Sequence, residues 1–175
     1  AAGVPMVFFD RTCQGVNADN VIIDDKKAAF DATEYLINTG CKKIVHLKGP
    51  ENLTISHQRL TGYRQALEKH AIPYKNEYVI EADNYEKGEN AVRRLLSEHN
   101  VPDAIFTVND LTALGAISAL KEAGIKIPEQ VSVVGFTNGV ISRLSDPPLT
   151  TIEQNGFLMG EKAAKLLLER INNYE

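Results

Sequence analysis

The stretch from 102 to 136, PDAIFTVNDLTALGAISALKEAGIKIPEQVSVVGF, decides the fold. It opens with a short apolar run, Ala104 to Val108, which ends at the polar pair Asn109-Asp110; four or five apolar residues between turn signals suit a buried strand. The apolar period then lengthens. Ala113, Ile117 and Leu120 fall at i, i+4 and i+7, the stripe of a helix with one covered face. Ala123-Gly124 provides a stop, because glycine enters the left-handed cap without Cβ strain. Past Pro128, the run Val131 to Phe136 reads as a second strand. Strand, helix and strand in one stretch make a βαβ unit, whose strands lie parallel.

The same alternation extends outward. Pro5 to Phe9, Val21 to Ile23, Lys43 to Leu47 and Tyr78 to Glu81 read as further buried parallel strands. Leu60, Tyr63 and Leu67, then Ala91, Leu95 and Leu96, are helical stripes between them, and Asn38-Thr39-Gly40 reads as another helix end. Asp146-Pro147-Pro148 and Leu149 to Ile152 read as an irregular connection before a last helix striped by Met159, Ala163, Leu166 and Leu167. The fold class is therefore α/β, a parallel sheet flanked by helices on both faces. Ligand-binding loops in such folds follow the carboxyl ends of the strands. Here these are 10–12, 49–56, 82–85, 109–110 and 137–139, all polar.

Bulk composition narrows the function. The 175 residues are 43% hydrophobic and carry a formal charge of -4 with a pI near 5.6, so these residues alone should not grip a phosphate backbone. No apolar stretch approaches the ~20 residues a bilayer requires, and no membrane role is expected. Cys13 and Cys41 lack metal-ligand or disulfide-framework spacing, which suits reduced thiols and a cytoplasmic setting. His46, His57, His70 and His99 are scattered, so neither a metal nor a cofactor is expected. Ser56-His57 raises the possibility of nucleophilic catalysis, but adjacent residues rarely face each other and no G-x-S-x-G elbow accompanies them. The reading is of a protein that is not an enzyme. Asp24-Asp25 resembles the acidic pair of a phospho-receiver, yet the following strand ends in Lys48-Gly49-Pro50 with no acceptor carboxylate. A solvated crossover turn accounts for the pair.

Several segments together resemble the LacI/GalR family of transcription regulators, whose effector domains share the type I periplasmic-binding-protein-like fold. They are PMVFFDR at 5–11, KKIVHLKGP at 42–50, RLTGYRQAL at 59–67, the stretch at 102–136, and PPLTTIEQ at 147–154. The resemblance implies two lobes around a cleft. Residues 1–24 would be a remnant of the first lobe, 25–148 the second lobe, and 149–175 a crossover and helix returning to the first. It also implies an upstream helix-turn-helix head that reads a DNA operator, a homodimer, and a small sugar-like effector. The other reading is a periplasmic sugar-binding protein serving a transporter.

The resemblance implies that Arg59 grips the effector through its fork of donors, although by sequence alone it serves equally as a surface ion pair. Asn109 and Asp10, each ending a strand, suit ligand hydroxyls. Asp110 is assigned to capping the next helix. Tyr85 is placed to stack on a ring, and Gln154 to touch ligand or to bridge hinge backbone. Where the family often has an aspartate after the Val-Gly-aromatic strand end, this chain has Thr137 and Asn138. That loss of charge points to an effector poorer in hydroxyls, or to an anion paired with Arg59.

Overall fold

A computed structural model describes residues 4–13 and 15–173. They form seven strands, β1 (Val7–Phe9), β2 (Asp19–Val21), β3 (Ile44–Lys48), β4 (Val79–Glu81), β5 (Ala104–Thr107), β6 (Ser132–Thr137) and β7 (Thr150–Glu153). The helices are α1 (Asp25–Asn38), α2 (Thr54–Lys69), α3 (Tyr85–Ser97), α4 (Asp110–Glu122), α5 (Val140–Leu144) and α6 (Gly156–Asn172). Two compact units result: Ala1–Asp24 with Gln154–Glu175, and Asp25–Glu153.

The larger unit is built on a five-stranded sheet in the order β4-β3-β5-β6-β7, with every pair parallel. It is the α/β fold expected. Period-2 alternation sends Val45, Leu47, Ile105 and Val133 into a core closed by Ala91, Val92, Leu95, Ala113 and Leu120 of α3 and α4. His46 faces the other way, stacking between Tyr63 of α2 and Phe106 at centroid distances of 5.3 and 4.7 Å. Helix α2 lies tight on α1: a Cβ at Gly62 would stand 2.1 Å from the carbonyl oxygen of Lys26, so only glycine allows this approach. Gly40 and Gly124 take φ of 99° and 73° at the ends of α1 and α4, the left-handed caps expected of them.

Two expectations are corrected. Residues 149–152 are not irregular: Thr150 to Glu153 pair in register with Val134 to Thr137, so the larger unit runs past 148 to Glu153. The pairing is nonlocal, and the preceding prolines hid it. Nor is every strand buried. β1 and β2 form a separate two-stranded parallel sheet in the smaller unit, with Phe9 58% exposed. Val21 packs there against Met159 and Ala163 of α6, which cover one face.

The ring of His46 is wholly buried; its Nδ1 lies 3.1 Å from the Phe106 carbonyl oxygen. Burial pulls its pKa from 6.5 down to about 4, against the Phe106 carbonyl and with help from the charges of Arg59 and Lys48. Below pH 6.5 the unfolded chain therefore takes up a proton that the folded chain refuses. Stability should fall by about 3 kcal/mol as pH drops from 6.5 to 4, then level off. His46→Gln should flatten that interval in a pH series of urea melts.

Candidate functional site at the carboxyl rim of the sheet

Strand order places the site. The chain leaves β3 for β4 on one side, then crosses to β5 on the other, so the topological switch lies between β3 and β5. Arg59, on the second turn of α2, projects to that point. Its Nε and Nη2 are each 2.7 Å from Asp25 Oδ1, its Nη1 donates to the Val108 carbonyl at 2.5 Å, and its guanidinium carbon lies 3.5 Å from the centre of the Phe136 ring. Both side chains of the ion pair are 3% exposed. Arg59 is thus not a surface ion pair, and Asp25 is not a solvated turn residue. The carboxylate in the first turn of α1 holds the guanidinium over the switch.

Asn109 takes the capping role expected of Asp110. Asn109 caps α4, accepting from the Thr112 amide at 2.8 Å, while its Nδ2 donates to the Asp83 carbonyl at 2.8 Å. Asp110 lies one residue inside the helix and cannot cap. Its Oδ1 accepts from the Thr151 hydroxyl at 2.5 Å and its Oδ2 from the Gly139 amide at 3.0 Å, so it ties β7 and the loop after β6 to α4.

That loop is strained. Thr137 has φ of 132° and Asn138 of 56°; a β-branched residue at positive φ is an outlier, and such strain persists only where surroundings hold it. Asn138 is fixed by Nδ2 donating to Glu153 at 2.7 Å and by Oδ1 accepting from Ser142 at 3.1 Å. Thr137 is exposed at the rim. Tyr85 opens α3, 37% exposed.

Five of the candidate residues, Arg59, Tyr85, Asn109, Thr137 and Asn138, therefore follow carboxyl ends of strands in the larger unit. Asp10 and Gln154 belong to the smaller unit, where Gln154 Nε2 donates to Asp10 Oδ1 at 2.7 Å and Asp10 takes φ of 62°. Ser56 and His57 point apart: Ser56 is buried beside Gly49, with its Oγ unpartnered, and His57 is exposed. Among the described residues no group of three His, Cys, Asp or Glu could hold a metal, and no helix is long and apolar enough to cross a membrane. A cavity of about 540 Å³ lies near Asp103, Ser132 and Thr150, at the amino ends of the strands, and so is not this rim.

Sequence reading missed Asp25, Thr151 and Glu153. Asp25 is 34 positions from Arg59, and nothing local signals the pairing.

Residues 33–175 match the family model described as a periplasmic binding protein-like domain. The chain is 39% identical over 168 residues to the HTH-type transcriptional repressor CytR of Escherichia coli K12, covering 95% of itself and 49% of CytR. Among solved structures it superposes on a transcriptional regulator CelR–cellobiose complex with a TM-score of 0.91 and 35% identity, over 99% of this chain and 54% of that one. A regulatory protein of the LacI family from Chloroflexus aggregans gives 0.88 and 30%, over 98% and 62%. The chain belongs to the periplasmic binding protein-like domain family. It spans about half the length of the relatives it matches. As in other α/β folds, polar loops, the Thr137-Asn138 turn among them, follow the carboxyl ends of the strands.

The Asp110 tether depends on Gly135, in the middle of β6. A Cβ there would lie 2.4 Å from Asp110 Oδ1 and 2.8 Å from Leu149 Cδ2. Gly135→Ala should push the carboxylate off Thr151 and Gly139 and cost roughly 2–4 kcal/mol. A chemical-denaturation midpoint within error of the parent would contradict this.

Proposed function

We propose that this chain is the ligand-sensing and dimerisation part of a cytoplasmic LacI-type transcription regulator. A small, sugar-like effector binds at the carboxyl rim and changes operator binding by a helix-turn-helix head elsewhere in the protein. The observation that carries the reading is Arg59, held by Asp25, Val108 and Phe136 over the topological switch, with Asn109 and the strained Thr137-Asn138 turn beside it. Asp10 and Gln154 are assigned as effector contacts of the smaller unit, and Tyr85 as a stacking surface of the larger. The lobes of this reading follow the two compact units. Support also comes from CelR, solved with cellobiose, and from CytR, a repressor. Because the named relatives are regulators, the transporter reading is set aside.

The effector acts without covalent chemistry. It favours one arrangement of the lobes to the extent that its affinity for the two arrangements differs. The buried Ser56 and outward His57 supply no nucleophile and base.

Arg59→Ala is a poor test, because it strands a buried Asp25 at a cost of about 3–5 kcal/mol. Replacing both partners, Asp25→Asn with Arg59→Gln, removes both charges together and leaves polar groups that can still bond each other. In the full-length protein this pair should abolish the ligand-induced change in operator affinity, read by fluorescence anisotropy, while the ligand-free protein still melts cooperatively. A folded double variant with the full ligand response would reject the assignment.

Dimerisation is assigned to the face where α4 and α5 meet. On these two helices Leu111 is 52% exposed, Val140 72% and Leu144 78%. Leu144→Glu should shift the full-length protein toward monomer in sedimentation velocity, and an unchanged dimer would remove α5 from the interface.

A further inference from the structure

The charge at the rim says which ligands the site refuses. Arg59 is the guanidinium at the switch point, and in isolation it would favour a phosphate or carboxylate. It does not stand in isolation. Asp25, equally buried, places one oxygen 2.7 Å from both Nε and Nη2. Two opposite charges at that distance carry no net charge together, so a third group meets a dipole in place of a free cation.

The surroundings repeat the pattern. Glu51, Glu81, Asp83, Asp110 and Glu153 all lie at or just beyond carboxyl ends of strands. The nearby Lys48 is spent on them, with its Nζ 2.7 Å from Glu51 and 4.0 Å from Glu81, and its hydrogen bond holds the Glu51 carboxyl below the usual range. Lys87 is likewise held by Asp83 at 2.6 Å, which raises its pKa. An anion entering this rim would meet carboxylates whose cations are already engaged. A neutral hydroxyl or amide would meet fixed donors and acceptors instead.

We propose that Asp25 is a specificity-determining residue: by neutralising Arg59 it makes the rim select an uncharged, hydroxyl- or amide-bearing effector and exclude phosphorylated or carboxylated ones. Of the two effectors that Thr137 and Asn138 leave open, one poorer in hydroxyls and an anion paired with Arg59, this proposal disfavours the anion. It rests on the proposed reading only in taking the rim as the effector wall. Phosphate esters and carboxylates share the chemistry that is refused, so a plain oxyanion probes both.

The test uses the full-length protein with ¹⁵N-labelled arginine and inorganic sulfate, titrated at constant ionic strength against chloride. The Nε resonance of Arg59, assigned by its loss in the double variant, should not move saturably in the parent protein. In Asp25→Asn, where the guanidinium keeps a hydrogen-bond acceptor but loses its counter-charge, sulfate should shift it saturably, with affinity raised roughly tenfold or more. Saturable binding at Arg59 in the parent would overturn the proposal. So would a folded Asp25→Asn protein whose Arg59 ignores sulfate, since Asp25 would then not be what excludes anions. Should that variant fail to fold, Asp25→Ser offers the same comparison, and the parent titration decides on its own. Operator binding enters none of these readouts, so failure of the regulator reading would show separately.

Discussion

Burying a guanidinium is among the costlier things a small α/β domain can do. An ion loses several kcal/mol of hydration on entering the interior, and only close, well-aligned partners recover it. Arg59 has a carboxylate, a backbone carbonyl and the face of Phe136, drawn from α1, the end of β5 and β6. The arrangement fixes more than one side chain. It locks the first turn of α1 to the end of β5 and to α2, and it requires Phe136 to lie flat beneath the guanidinium. A hydrophobic group of the same volume would stabilise the core as well or better. Stability alone therefore does not account for an arginine here.

The second constraint is the Asp110 carboxylate, which holds the other side of the rim. It reaches Thr151 and Gly139 only because Gly135 leaves room for it. With β7 anchored, Glu153 can accept from Asn138, and Ser142 can donate to the same amide. Thr137 is thereby kept in a backbone conformation that a β-branched residue would not choose in a free loop. That conformation, at φ 132°, stands at the carboxyl end of β6.

How much of this was legible in the sequence follows from the range of each interaction. The strands Ala104 to Thr107 and Ser132 to Thr137, and the helix between them, are announced by periodicity within a few residues, and the structure follows. β7 was missed because Thr150-Thr151 after two prolines carries no apolar run; its strand character comes from β6 alongside. The cap of α4 was misplaced by one residue, because Asn and Asp are comparable caps and only the backbone says which precedes the helix. The Arg59 to Asp25 pair was invisible. Its members are far apart in sequence, and an acidic doublet at a crossover has the composition of any solvated turn.

The buried pair also bears on how such a rim can discriminate. A flexible surface arginine would pay rotamer entropy on meeting a ligand and would reshape itself to several. Here the guanidinium is oriented by partners within its own unit before any ligand arrives, so little ordering cost remains to be met. In the reading proposed above, a preorganised set of donors would separate ligands by hydroxyl position and by charge, rather than by how far the wall can bend. That is the property required of a sensor whose output depends on a difference in affinity between two arrangements, since a wall that adapted equally well to both would bind ligand and signal nothing.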